Sequence, residues 1–314
     1  MRRHAFALHM TTHSTVANYI GRFAPSPTGP LHMGSLVAAL ASFLDAKQHR
    51  GQWHVRIEDL DPPREQRGAA SSIINSLECH HLFWDGPIFY QSRRHCYYEQ
   101  ALTKLHANLY ACRCTRQRLQ TLNGIYDGHC RHHCEITMTA PATTPAATRI
   151  NTTCLPLPLQ ALAESYRDIF YGQQHQPLAD TGDFIVRRKD QLFAYQLAVV
   201  VDDIAQGITH IIRGADLLDS TARQRYLYLL LDGPLPQIGH VPLVMNAQGQ
   251  KLSKQNHAQP LDNHHASHNL CQALAFLKHP VPETIAATQH CESILQWAIA
   301  HWDRKAIAQE RLTA

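Results

Sequence analysis

Three prolines and a glycine crowd into six residues near the start of the chain, Pro25-Ser26-Pro27-Thr28-Gly29-Pro30. Such a stretch cannot sit inside a helix, because proline lacks the N–H and clashes with the preceding turn. Its flanks are regular. Residues 19–24 read as a short strand, and residues 32–49 carry Leu36, Ala39, Leu40, Phe43 and Leu44 at helical spacing, with Gly51 just beyond. A strand breaking into a rigid loop and then a helix is the opening of an α/β unit. The rhythm continues with a strand at 53–57, a polar loop at 58–63 and helices at 66–81 and 94–109. It resumes with strands at 184–186 and 208–213, a helix at 218–231 and a strand at 239–244, before a polar loop at 246–255. The expected fold is α/β, with a parallel sheet.

Composition narrows the class. A chain of 314 residues suggests about two domains. With 44% hydrophobic residues and a net charge of +4, disorder is not expected, and the mildly basic balance does not by itself establish a nucleic-acid partner. No apolar run approaches the ~18 residues of a membrane span, so no membrane association is expected. The 23 histidines sit mostly singly or in polar runs and read as a surface bias. Residues 1–18 hold Arg2 and Arg3, no acid, and an apolar piece too short for a signal, so a disordered extension is expected there.

Four of the nine cysteines cluster: Cys112, Cys114, Cys130 and Cys134. Clustered thiols without a secretion signal point to a reducing compartment, here cytoplasmic, and to a metal. This spacing is a good zinc pattern, and His129, His132 and His133 lie close by as further candidates. The cluster breaks the α/β rhythm and reads as an inserted module, followed by a Thr/Pro/Ala-rich linker at 137–148. Two further segments suit phosphate. His32-Met33-Gly34-Ser35 opens a helix, whose free N–H groups and positive partial charge attract anions. Lys251-Leu252-Ser253-Lys254-Gln255 sets two lysines three apart in a polar loop, able to clamp a polyphosphate leaving group. Asp202 and Asp203 read as a helix cap and surface pair.

Taken together, the two phosphate segments resemble the HIGH and KMSKS signatures of class I aminoacyl-tRNA synthetases. Gly-Arg-Phe-Ala-Pro-Ser-Pro-Thr-Gly-Pro-Leu-His (21–32), Arg-Ile-Glu-Asp-Leu-Asp-Pro-Pro-Arg (56–64), Tyr-Gln-Leu-Ala-Val-Val-Val-Asp-Asp (195–203) and Gly-Ile-Thr-His-Ile-Ile-Arg-Gly-Ala-Asp (207–216) resemble the glutamyl-tRNA synthetase catalytic domain. Only residues 255–314 follow the second signature, too few for an anticodon-binding domain. The chain is therefore similar to the truncated paralogous family, the glutamyl-queuosine tRNA(Asp) synthetases.

That resemblance implies a Rossmann-like doubly wound sheet divided into residues 19–109 and 181–256, with a zinc-bearing insert at 110–180 and a helical tail at 257–314. It implies activation of L-glutamate by ATP with Mg²⁺, then transfer of the glutamyl group to the queuosine base at the wobble position of tRNA(Asp). The implied glutamate contacts are Arg22, Phe23, Ala24, Pro25, Ser26, Glu58, Tyr195 and Arg213, with Glu58 on the ammonium. His32, Gly34 and Lys254 would bind ATP, and His32, Lys251 and Lys254 would act in catalysis. The resemblance selects Cys112, Cys114, Tyr126 and Cys130 for zinc, whereas spacing alone selects Cys134 in place of Tyr126. A monomer is expected. Shortened 3′-end charging and a small-molecule ATP-dependent ligase are the alternatives.

Overall fold

The computed structural model describes residues 19–122, 124–133, 145–245, 252 and 259–308. The expectations for residues 1–18, Lys251, Lys254 and Cys134 lie outside the described residues.

The proline loop divides β1 (Ile20–Phe23) from α1 (Met33–Gln48). His32 caps α1, its Nδ1 accepting from the Ser35 N–H at 3.3 Å. The chain returns through β2 (Gln52–Ile57), which lies parallel to β1. After α2 (Ala69–Cys79), β3 (Phe89–Tyr90) extends the sheet in parallel, and α3 (His95–Lys104) follows. Alternation in β2 sends Trp53, Val55 and Ile57 into the same core as Leu36, Leu40 and Leu44 of α1, all fully or almost fully buried. Each such side chain contributes roughly 1.5–3 kcal/mol on burial.

The insert comprises β4 (Leu109–Cys112), α4 (Arg116–Gln120), α5 (His129–His133) and β5 (Ala147–Ile150). Next come α6 (Leu157–Glu164), the hairpin β6 (Ser165–Asp168) and β7 (Gly172–His175), and then β8 (Phe184–Arg187). β5 pairs antiparallel with both β4 and β8. Residues 184–186, expected to resume the parallel rhythm, thus belong to this antiparallel sheet. Residues 147 and 148, read as the end of a linker, are strand. Strands of four residues are too short for alternation to declare their partner.

The parallel rhythm returns with α7 (Tyr195–Ala205), β9 (His210–Gly214), α8 (Thr221–Leu230) and β10 (Gln237–Val241). β10 lies between β6 and β9, parallel to both. β9 meets the first sheet at β1: the Thr209 N–H donates to the Ile20 carbonyl at 2.9 Å, and the Ile20 N–H to Thr209 Oγ1 at 2.9 Å. The strands therefore run β3-β2-β1 and then β9-β10-β6, and chain order reverses between β1 and β9. Ligands of open α/β sheets bind beyond the carboxyl ends of the strands at such a switch point.

The tail helices α9 (Ala266–Phe276), α10 (Glu283–Ala286), α11 (Cys291–His301) and α12 (Arg304–Ala308) pack back against the core around α1. Asp45 of α1, fully buried, is the clasp. It accepts from the Tyr19 hydroxyl (2.5 Å), Trp302 Nε1 (3.0 Å), and Arg304 Nε and Nη2 (2.6 and 2.7 Å). Burial pushes this carboxyl up, but Arg304 and the other donors outweigh it and hold it below its ordinary range. Among the described residues no helix is long and apolar enough to cross a membrane.

Candidate active site

A cavity of about 770 Å³ opens at the switch point. The carboxyl ends of four parallel strands line it: Arg22 and Phe23 on β1, Glu58 just past β2, Arg213 on β9, and Val241 on β10. Ala24, Pro25 and Ser26 line it from the loop after β1, His32 and Gly34 from the start of α1, and Tyr195 from the first residue of α7. Ten sequence-selected positions scattered from 22 to 213 thus share one cavity. Lys251 and Lys254 lie outside the described residues, but Leu252 between them lines the same cavity, its N–H donating to the Val244 carbonyl at 2.8 Å.

The proline loop is held by its carbonyls. Pro25 O accepts from the Glu58 N–H and Pro27 O from the Gln66 N–H, each at 3.0 Å. The loop therefore stays rigid while joining the end of β1 to the end of β2. A Cβ at Gly34 would stand 3.1 Å from the His32 ring, a tight contact to which the ring would have to yield.

Beneath the cavity floor lies a buried charge cluster. Arg22 presents Nε and Nη2 to the two oxygens of Asp203, at 3.1 and 3.3 Å. Arg56, fully buried, donates from Nη1 to Asp203 Oδ1 and Gln206 Oε1, both at 2.8 Å, and from Nη2 to Glu58 at 3.4 Å. Asp202 takes Arg94 Nε (2.5 Å), Gln91 Nε2 (2.8 Å) and the Tyr98 hydroxyl (2.8 Å). Asp202 and Asp203, expected on the surface, are thus interior, at 0% and 1% exposure. Their helix, α7, faces the strand arginines rather than water. Arg22 on β1, Arg56 on the neighbouring β2 and Arg94 just before α3 bring their guanidiniums to it, which no spacing within α7 reveals.

The electrostatics follow. Burial pushes Asp203 up, but Arg22 and Arg56 more than reverse this and hold it below the usual carboxylate range. Glu58 has weaker partners, and burial lifts it to about 7. The cavity therefore offers fixed cations beside an acid whose charge is easily lost. Sequence reasoning missed other lining residues, among them Asp61, Arg64, Glu65 and Arg188. Arg188 bonds Asp61 at 3.1 Å, and Asp61 also accepts from Arg64. Asp61 and Arg64 lie in the segment 56–64 that carried the resemblance, but only Glu58 was singled out from it.

A second site forms in the insert. The Tyr126 hydroxyl lies 3.5 Å from Cys112 Sγ and 3.6 Å from Cys114 Sγ, and Cys114 Sγ lies 3.5 Å from Cys130 Sγ. A tetrahedral zinc with bonds of about 2.3 Å to sulfur and about 2.0 Å to oxygen needs edges of about 3.5–3.8 Å, so this donor set could hold the metal. Gly182 and Arg149 seat the tyrosine. Gly182, at φ +61°, bridges to the Tyr126 backbone where a Cβ would lie 2.5 Å from Tyr126 O, and the Arg149 guanidinium stacks 3.8 Å over the ring. His129, by contrast, is exposed.

Removing one partner of a fully buried pair strands the other. Asp203→Asn leaves Arg22 and Arg56 short of their shared anion and should cost about 3–5 kcal/mol of folding stability. Denaturant unfolding checks this; a loss under about 1 kcal/mol, the size of a surface pair, would refute it.

Comparison with known proteins agrees with this geometry. Residues 20–278 match the family tRNA synthetases class I (E and Q), catalytic domain. The glutamyl-Q tRNA(Asp) synthetase of Serratia proteamaculans is 49% identical over 287 residues, covering 90% of each chain. That of Vibrio vulnificus is 44% identical over 300 residues, covering 95% of this chain and 92% of its own. Among solved structures, a glutamate tRNA ligase from Elizabethkingia meningosepticum, in complex with its amino acid, superposes with a TM-score of 0.64 at 27% identity. The match covers 76% of this chain and 52% of that one, so the chain spans about half the length of the solved ligase. The chain therefore belongs to the class I tRNA synthetases of the glutamate and glutamine branch, whose catalytic domain it carries.

Proposed function

We propose that the chain activates L-glutamate with ATP and transfers the glutamyl group to the queuosine base at the wobble position of tRNA(Asp). One observation carries the amino-acid half: Arg22, Arg213 and Glu58 line a single cavity. Glutamate carries two carboxylates and one ammonium, and two guanidiniums with one carboxylate match that inventory. Tyr195 and the loop residues Phe23, Ala24, Pro25 and Ser26 shape the remainder. The acceptor half is supported by the relatives above, which bear that name across nine-tenths of the chain.

In the first step an α-carboxylate oxygen attacks the α-phosphorus of ATP, the bond to the bridging oxygen breaks, and pyrophosphate leaves. Class I synthetases use ATP with Mg²⁺ here. The N-terminus of α1, where His32 and Gly34 stand, suits the phosphates through its positive partial charge. Lys251 and Lys254 would steady the leaving pyrophosphate. In the second step a hydroxyl of the queuosine cyclopentene ring attacks the activated carbonyl and AMP leaves. Positioning and fixed charge do most of this work. The test is transfer of labelled glutamate to tRNA(Asp), with and without queuosine, using tRNA whose 3′-terminal adenosine has been removed. Label on the queuosine form alone is expected. Label only on intact tRNA(Glu) would turn the reading to 3′-end charging.

The proposal includes one zinc ion held by Cys112, Cys114, Tyr126 and Cys130. With four protein ligands it has no open position, so its role is to cross-link the insert. Purified protein should carry about one zinc per chain, lost in Cys130→Ser but not in Cys96→Ser; metal-free protein with unchanged folding would overturn this assignment.

Only ionised Glu58 pairs with an ammonium. Its carboxyl sits at about 7 in the empty cavity. Glutamate KM should therefore fall as pH rises from about 6 to about 8, and Glu58→Gln should raise KM and flatten the profile. A flat wild-type profile counts against the pairing.

A further inference from the structure

The arginine on β9 is held differently from the one on β1. Among the described residues, the acceptors that hold Arg213 include no carboxylate. Its Nε donates to His240 Nε2 at 3.0 Å, Nη1 to Gln224 Oε1 at 2.6 Å, and Nη2 to Thr221 Oγ1 at 2.9 Å and the Leu217 carbonyl at 3.3 Å. A guanidinium has five N–H groups, so one hydrogen on Nη1 is left over, on a side chain that lines the cavity.

Three strands build this arrangement in a row. His240 on β10 stands in register with Arg213 on the neighbouring β9. Asp168 ends β6, on the other side of β10. Its Oδ2 receives His240 Nδ1 at 2.6 Å, while its Oδ1 receives the N–H groups of Phe170 and Tyr171 at 2.9 Å each. Both His240 and Asp168 are almost wholly buried.

The donor inventory then fixes the chemistry. Arginine only donates, so His240 Nε2 must accept, and the ring proton must sit on Nδ1, facing Asp168. The imidazole is neutral. Burial, which outweighs the pull of Asp168, also holds it below the ordinary imidazole range. A neutral acceptor fixes the guanidinium without cancelling its charge; a carboxylate in the same place would fix it and neutralise it.

We infer that His240, set in one tautomer by Asp168, is a positioning residue that aims Arg213 at a glutamate carboxylate while leaving its charge for the substrate. This inference rests on the reading of Arg213 as a glutamate contact. The experiment is glutamate-dependent ATP–pyrophosphate exchange on the full chain. His240→Leu removes the acceptor and should raise the glutamate KM tenfold or more, with kcat and the ATP KM changed less than about threefold. His240→Gln restores a neutral acceptor and should return the KM to within about threefold of wild type. His240→Glu keeps an acceptor but adds a charge, and should remain impaired. Arg213→Ala separates the two ideas: if it leaves the glutamate KM unmoved, the contact itself is wrong. If Arg213→Ala raises the KM and His240→Leu does not, only the inference on His240 falls. Equal losses in all His240 variants, matched by lost thermal stability, would reduce His240 to a packing role and overturn the inference. Should His240→Leu not fold, ¹⁵N-histidine spectra of the wild type, with His240 identified by its loss in H240Q, decide the tautomer. A protonated Nδ1 is expected, and a protonated Nε2 refutes it.

Discussion

Three guanidiniums and three carboxylates, buried or nearly so, meet at the floor of one cavity, and the rest of the site is built on them. Each such ion costs several kcal/mol to desolvate, so none is tolerable alone. Asp203 resolves this for Arg22 and Arg56, and Asp202 for Arg94. The pairing is geometric as well as electrostatic. It joins β1, β2 and the helix after β8, so the strand ends that carry Arg22 and Glu58 cannot shift independently. A cavity meant to receive a charged ligand is thereby organised before the ligand arrives, which is where preorganised sites gain their advantage.

Two of the arginines at the cavity, Arg22 and Arg213, are supported in opposite ways. Arg22 leans on a full anion and belongs to a balanced network. Arg213 leans on an imidazole, an amide, a hydroxyl and a carbonyl. Glu58 lies nearer the Arg22 side, through its bond to Arg56.

The insert is not isolated from this cavity. Lys189 donates to the carbonyl of Cys114 at 2.8 Å, and its neighbour Arg188 lines the cavity mouth. Tyr126 bridges to Gly182 just before β8. The stretch from Gly182 to Lys189 thus touches the cysteine-bearing segment and also carries Arg188 at the cavity, so whatever stiffens the cluster also steadies Arg188.

Much of this was legible in the linear chain. The proline loop, the periodic α1 and the alternating β2 declared the opening α/β unit through backbone rules that act locally. Ten of the cavity residues were legible because they fall within recognisable segments, whereas Asp61, Arg64, Glu65 and Arg188 were not singled out. The order of the antiparallel sheet was not, since β4, β5 and β8 are each four residues long and find their partners by packing. Nor was the interior place of Asp202 and Asp203: two acids at the end of a helix look solvated until two other strands deliver arginines to them. Tyr126 could be preferred over Cys134 only by resemblance, because spacing favours the thiol. In the fold, its hydroxyl stands beside two of the thiols. Local backbone chemistry, in short, was determined by the sequence itself. Which charges meet, and in which protonation state, was decided only by the tertiary structure, because charge pairing depends on distances between segments far apart in the chain.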